Sequence, residues 1–357
     1  MAFIKKLHIV NYRVYKDRYF DFLPINNIIY GKNGVGKTNV LESISMLSVG
    51  KGLLNADMGD ILRVDEKSVN SFYDGYGWSV NANIIGHPII DDVMVYTEND
   101  KKKIKMNGNV VRGQNELNDI FNIIWLTPNM QNFFNEDKSV RRKFLDRCVY
   151  LINTGHAKLV SKYEYYVKER IKVLQEKYDV NWLSVLENKI AETGVEITMA
   201  RENVVNIMNN LIEKYDFEFP KFILSMEKGI FKNSDEFRQL LFKNRQQDKF
   251  SKRTKDGTHK SDLKVFYHTK NIMGEFCSTG EQKLLLISLT LLKAFMCVEM
   301  KKASPIILLD EVFSYLDNTK KIALFSELKK LQVQTFITAT DIKVFDGMLE
   351  GENCIAL

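Results

Sequence analysis

Gly31-Lys32-Asn33-Gly34-Val35-Gly36-Lys37-Thr38 decides the reading of this chain. The octet fits G-x-x-x-x-G-K-[ST] in full. Its setting fits too: a short apolar strand, Asn26–Tyr30, precedes it, and a helical run, Asn39–Ser48, follows. Glycines let the backbone wrap a phosphate that side chains would keep away. Successive N–H groups and a helix N-terminus supply positive potential at the same place. Lys37 is placed to reach the β- and γ-phosphates of a nucleotide such as ATP, and the Thr38 hydroxyl to bind Mg²⁺.

Such a loop needs an acidic partner. Ile306-Ile307-Leu308-Leu309-Asp310-Glu311 is an apolar strand ending in two carboxylates. Asp310 is the expected metal holder, and Glu311 the general base that takes a proton from the attacking water. A consecutive Asp-Glu points to the ABC-type branch of the P-loop ATPases. Cys277-Ser278-Thr279-Gly280-Glu281-Gln282-Lys283 stands just before an apolar helix, Leu284–Val298. There Ser278, Gly280 and Gln282 resemble the ABC signature, which cradles a phosphate at a helix start. The same string also reads as a helix cap with a Glu beyond it. Ser314-Tyr315-Leu316-Asp317 resembles the D-loop, Thr340 stands at the switch position, and Gln131 is the expected metal-contacting Q-loop residue. In ABC heads one subunit's phosphate loop meets the other's signature. The resemblance therefore implies a head-to-tail homodimer holding two ATP molecules.

Composition sets the outer bounds. The chain has 357 residues, 45% hydrophobic and 27% charged. That length predicts about two domains and a core needing no staples. Lys and Arg number 51 against 45 acids, and a net charge of +6 selects no partner by itself. The four cysteines Cys148, Cys277, Cys297 and Cys354 are scattered, with no C-x-x-C spacing, which predicts free thiols in a reducing cytoplasm. The opening MAFIKKLHIVNYRVY has no signal-peptide core. Leu284–Val298 is too short to cross a membrane and contains Lys293, so no membrane role is expected.

Apolar residues recurring at helical spacing, such as Val140, Phe144, Cys148 and Ile152, predict a mostly helical stretch over 130–215. Gly194 reads as its weak point. Strands are expected at Ile4–Val10, Arg18–Phe22, Val93–Thr97, Lys103–Met106, Phe222–Met226, Leu263–Tyr267, Pro305–Leu309 and Thr335–Thr338, with tight turns at Glu98-Asn99-Asp100 and Asn107-Gly108. Lys243–Lys260 reads as a flexible loop. The expected fold is α/β: an ABC-type ATPase head of mixed β/α character, residues 1–125 and 299–357, with an inserted, mainly helical lobe over 126–298 that carries the signature.

The order of motifs and several local strings resemble the RecF family of bacterial DNA replication and repair proteins. Leu7–Tyr15 is similar to the family opening L-x-x-x-N-F-R-N-Y, and GKNGVGKTNVLE to G-x-N-G-x-G-K-T-N-x-L-E. Met46–Gly52, the turn Asn107-Gly108, SVRRKFLD at Ser139–Asp146, LLLDEVFSYLD and QTFITATD continue the match. Gly257–Leu263 departs from G-P-H-R-D-D-L: Thr258 replaces Pro and Ser261 an Asp. The resemblance implies an ATP-dependent DNA clamp and recombination mediator at single-strand gaps, acting with RecR and RecO to help load RecA. A weak, regulatory ATPase would control DNA binding and release. A transporter-type ABC ATPase subunit is the alternative, and a binding module with purely structural ATP a third. Arg13 matches a family arginine expected near the ATP phosphates. DNA contacts are expected from Arg141 and Arg142, which the helical spacing sets opposite the apolar face, and from Lys252, Arg253 and Lys255 in the basic stretch.

Overall fold

The computed structural model describes residues 1–63, 77–176, 179–215, 218–300 and 304–357. In chain order the first elements are β1 (Phe3–Tyr12), β2 (Tyr15–Asp21), β3 (Asn26–Tyr30), α1 (Lys37–Ser45), α2 (Met58–Ile61), β4 (Ser79–Ile85), β5 (Asp92–Glu98), β6 (Lys101–Met106), β7 (Asn109–Val110) and β8 (Phe121–Leu126). Then come α3 (Lys138–Ile152), α4 (His156–Glu176), α5 (Val180–Lys214), β9 (Phe222–Glu227), α6 (Ser234–Lys243), α7 (Arg245–Ser251), β10 (Asp262–Tyr267), β11 (Ile272–Met273) and α8 (Thr279–Met300). The chain closes with β12 (Ser304–Leu309), α9 (Asn318–Leu331), β13 (Gln334–Ala339) and β14 (Asn353–Ala356). Two compact units result, Met1–Met130 with Leu289–Leu357, and Gln131–Ser288.

In the first unit two sheets form for different reasons. Alternating strands joined by tight turns give the antiparallel order β2-β1-β4-β5-β6-β7. Asn99 and Asp100 both take positive φ, as do Asn107 and Gly108, so both expected turns twist with their strands. Continuous apolar strands give a sheet of order β14-β3-β13-β12-β8, parallel throughout. Runs such as Ile306–Leu309 are buried on both faces, the usual pattern in parallel sheets. Gln334 links the two sheets: its side chain accepts from the Ile4 N–H at 2.9 Å and donates to the Ile4 carbonyl at 2.8 Å. Ile4, Ile9, Leu41, Ile44, Val80, Ile306 and Phe336 belong to the shared core.

The register fixes where chemistry can occur. Ala339 pairs with Tyr30, and Leu309 with Ile337. The carboxyl ends of β3, β13 and β12 therefore lie side by side, where ligands of open α/β sheets bind. Gly31, Thr340 and Asp310 each follow one of those ends directly.

The second unit is built around the α4–α5 hairpin. Tyr163 lies against Gly194, and Arg170 pairs with Glu187, which is one antiparallel register. Gly194 does not break α5, which runs unbroken for 35 residues. A Cβ there would sit 2.7 Å from the Phe237 ring and 3.1 Å from that of Tyr163, so glycine permits the close packing. The three-stranded antiparallel sheet has order β11-β10-β9.

The basic stretch Lys243–Lys260 is not a flexible loop. It contains α7, and its charges are partly internal. Fully buried Arg170 donates to Glu187 at 3.0 Å, Asp248 at 2.7 Å and the Leu241 carbonyl at 2.6 Å. Arg245 forks onto Glu187 at 2.9 and 2.6 Å. Two of the charges that made this stretch look solvated, Arg245 and Asp248, are therefore core residues.

Candidate nucleotide site

The loop after β3 curls tightly, and its glycines are needed for it. Gly36 has φ +103°, and a Cβ there would lie 2.7 Å from both the Tyr15 hydroxyl and Val14. Lys37 is buried and turns back over the loop, donating to the Gly31 carbonyl at 2.7 Å and the Lys32 carbonyl at 3.1 Å. Its ammonium is 3.3 Å from Glu311 Oε1.

Across the strand ends stands the acidic pair. Thr38 Oγ1 lies 3.0 and 3.1 Å from the two Asp310 oxygens. Thr338, in β13, donates to Asp310 Oδ1 at 2.7 Å and accepts the Glu311 backbone N–H at 2.9 Å. Glu311 takes φ +53°, a conformation rare for a side-chain-bearing residue, and Ser314 donates to its Oε2 at 2.9 Å. Burial raises the pKa of Asp310, and the Thr338 and Thr38 hydroxyls pull against that. Thr38 and Asp310 together are a hydroxyl and a carboxylate suited to a small hard cation. Such ions complete their shell with phosphate oxygens and water. Among the described residues no cluster of three or more His, Cys, Asp or Glu side chains could hold a metal without such help.

Thr340, expected at the switch position, is exposed just beyond β13, while Thr338 makes the contacts to the acidic pair. Asp317 caps α9 by accepting the Lys320 N–H at 2.8 Å. Arg13 does not stand free for phosphates. Its guanidinium forks onto the fully buried Glu42 of α1 at 2.9 and 2.7 Å and donates to the Asp60 carbonyl at 2.7 Å. Sequence reasoning missed Glu42, Thr338 and Tyr15, whose hydroxyl reaches the Gly36 carbonyl. The one available signal was Glu42, a carboxylate on an apolar helix that required a cation.

The signature lies in the second unit. Ser278 donates through N–H and Oγ to Glu281 Oε2, both at 2.8 Å, and the Glu281 N–H returns to Ser278 Oγ at 3.4 Å. This is a reciprocal helix cap. Lys270 also pairs with Glu281 and, with the Ser278 donors, holds its pKa down to about 2. A Cβ at Gly280 would meet nothing, so the backbone there is open to a ligand. Gln282 is not: it is buried, donating to the Gly274 carbonyl at 2.9 Å and accepting from Asn135 at 3.2 Å. Gln131 opens the second unit, half-buried in the turn Pro128–Asn132.

Of the expected DNA contacts, Arg141 is overturned. It is buried, forked onto Asp262 at 2.7 and 3.1 Å and bonded to the carbonyls of Phe133, Phe134 and Glu136. The helical spacing does not set it opposite the apolar face: Arg141 shares its side of α3 with buried Leu145 and Cys148, four and seven residues on, and so points to the core and not to solvent. Lys252 and Arg253 are exposed, while Arg142 and Lys255 are half-buried. Among the described residues, no helix is long and apolar enough to cross a membrane. Cys148, Cys277 and Cys297 are buried and Cys354 is exposed, and among the described residues none forms a disulfide.

The comparisons agree with this geometry. Residues 3–356 match the RecF/RecN/SMC N terminal domain. The chain is 36% identical over 378 residues to the DNA replication and repair protein RecF of Rickettsia felis, covering 99% of this chain and 98% of that protein. It is 37% identical to that of Rickettsia bellii, covering 96% and 95%. The recombination mediator protein RecF of the RecFOR pathway superposes with TM-score 0.84 at 25% identity, over 100% of this chain and 96% of that one. A second such structure, RecF with ATP, gives TM-score 0.82 at 25% identity over 95% and 92%. An SMC head bound to the C-terminal winged-helix domain of ScpA shares the fold at TM-score 0.51, over 96% and 91%. The phosphate loop, the acidic pair at the end of β12, and a match running from residue 3 to 356 converge: this chain belongs to the RecF family of ABC-type, SMC-like ATPases.

Proposed function

We propose that this chain is an ATP-dependent DNA clamp and recombination mediator of the cytoplasm. It acts at single-strand gaps and double-strand/single-strand junctions with partners equivalent to RecR and RecO, and helps place RecA. The reading is supported by the family and, above all, by the contact of Thr38 with both oxygens of Asp310 beside Glu311. ATP would draw Lys37 off the Gly31 and Lys32 carbonyls onto its phosphate oxygens. Thr38 and Asp310 would hold Mg²⁺, which supplies screening of the phosphate charge. Glu311 would accept the proton of the attacking water, its second oxygen steadied by Ser314.

The signature and the phosphate loop belong to different units of the chain. In the head-to-tail homodimer we infer, each loop meets the signature of the other copy, with Ser278, Gly280, Asp317 and Thr340 around the second face of the nucleotide. ATP binding then closes the dimer on DNA, and slow, DNA-dependent hydrolysis opens it. Nothing in the site favours a transporter subunit.

Light scattering with turnover assays tests this. Lys37→Met should abolish ATP-dependent dimerisation and DNA binding, and Glu311→Gln should bind ATP and remain dimeric. A monomer for Glu311→Gln at saturating ATP would overturn the sandwich.

A further inference from the structure

Three arginines and two carboxylates meet where α3, α5 and β10 pack, and the pairing leaves one cation over. Arg141 forks onto Asp262. Arg201 forks onto Asp146 at 2.8 and 2.9 Å, and His156 also bonds to Asp146. Among the described residues Arg142 makes a single hydrogen bond, to the Ser261 carbonyl at 2.8 Å. A guanidinium has five N–H donors and cannot shed its charge in a protein. Burial, and then the neighbouring Arg201, disfavour that charge. Asp137, Asp262 and Asp146 favour it through space, but among the described residues none of them forms an ion pair with Arg142.

Arg142 opens onto a cleft of about 680 Å³ formed within the second unit. Lys138, Lys228, Lys255 and Lys260 line it as well, and among the described residues none of the four has an ion pair. The facing carboxylates are Asp137 and Asp256, and both are engaged. Asp137 caps α3 through the Ser139 N–H at 2.7 Å, and Asp256 accepts from Asn244 at 2.8 Å. His259 adds no charge, since burial lowers its pKa to about 4; its ring bonds to the Thr254 carbonyl at 3.0 Å and to the Tyr163 hydroxyl at 2.9 Å. The lining is partly bare backbone. A Cβ on Gly229 would sit 2.4 Å from the Gly257 carbonyl oxygen, so only glycine permits that approach.

We propose that this cleft is a phosphate site built by the second unit, with Arg142 as its fork and the four lysines as its rim, and that its ligand is a backbone phosphate of DNA. The inference rests on the DNA-binding reading above and narrows it. It removes Arg141 from the contact set and adds Lys138, Lys228 and Lys260. A planar fork backed by lysines matches a phosphate oxygen pair and reads no base. The same chemistry would accept free inorganic phosphate or pyrophosphate.

DNA binding is measured by anisotropy across about 50–200 mM salt for the full chain and for Arg142→Gln, Lys255→Gln/Lys260→Gln and Lys172→Gln. Lys172 lies exposed on α4, outside the cleft. Arg142→Gln should weaken binding about tenfold or more. Each removed contact should lower the salt slope by about one, and Lys172→Gln should match the parent. If the parent binds DNA and both cleft variants keep its affinity and slope, the proposal is overturned.

A second arm separates this from failure of the DNA reading. In a Lys37→Ala background, pyrophosphate should raise the melting temperature, and adding Arg142→Gln should abolish the rise. If no DNA is bound but that pattern holds, the site takes free phosphate. If neither DNA nor pyrophosphate responds to Arg142, there is no site.

Discussion

Thr338 Oγ1 and Asp310 Oδ1 are 2.7 Å apart, and the same hydroxyl accepts the Glu311 backbone N–H. One β13 side chain thus orients the carboxylate proposed to hold the metal and fixes the backbone of the proposed base. The hydroxyl does both because β13 lies between β3 and β12 in the sheet. Its donation keeps Asp310 usable as an anion against burial.

Thr338→Val keeps the shape and removes this relay. It should cost about 1–2 kcal/mol of stability, since the Glu311 N–H loses its acceptor. The Mg²⁺ concentration needed for half-maximal hydrolysis should rise, while nucleotide binding through Lys37 persists. Metal titration of turnover beside a thermal melt checks both effects.

Asp310 carries a folded-state pKa raised by burial. The folded protein therefore binds more protons than the unfolded chain just above the ordinary carboxylate pKa. Its contribution to stability is lost as pH rises through that window. Asp310→Asn should consequently stabilise the nucleotide-free protein at neutral pH while eliminating hydrolysis. Urea midpoints from pH 4 to 7 should show the gap between variant and parent opening upward.

Arg13 and Glu42 form a fork with the carboxylate fully buried. Arg13→Ala leaves that charge unpaired and should cost about 3 kcal/mol. Adding Glu42→Gln should recover much of the loss. A double-mutant cycle in denaturant reads the coupling, and equal losses in the single and double variants would refute it.

His259 is held neutral, with burial lowering its pKa to about 4 from the usual 6.5. Between those values the unfolded chain binds the extra proton. Stability present above pH 6.5 should therefore drain away as pH falls toward 4, by roughly 3 kcal/mol in all. His259→Gln should flatten this segment of the stability–pH curve.

Much of the fold is legible in the string of residues, and the reasons are local. The strands, the two tight turns and the phosphate loop follow from alternation, from Asn-Asp and Asn-Gly pairs, and from glycine spacing. What was misread involved partners distant in sequence. Arg141 pairs with Asp262, and Arg245 with Glu187. No periodicity can show that a charge on a helix has an opposite charge waiting across the core.

The sequence by itself determined the family, the phosphate loop and the acidic pair, because each is a short run whose chemistry depends on neighbours along the chain. Only the tertiary structure decided that Thr338 governs the acidic pair, that Arg13 clamps α1, that Gln282 is internal and that Arg142 lies half-buried with no ion pair among the described residues. Those facts depend on which side chains meet across a sheet or between helices. Burial forces every charge there to find a partner or wait for a ligand.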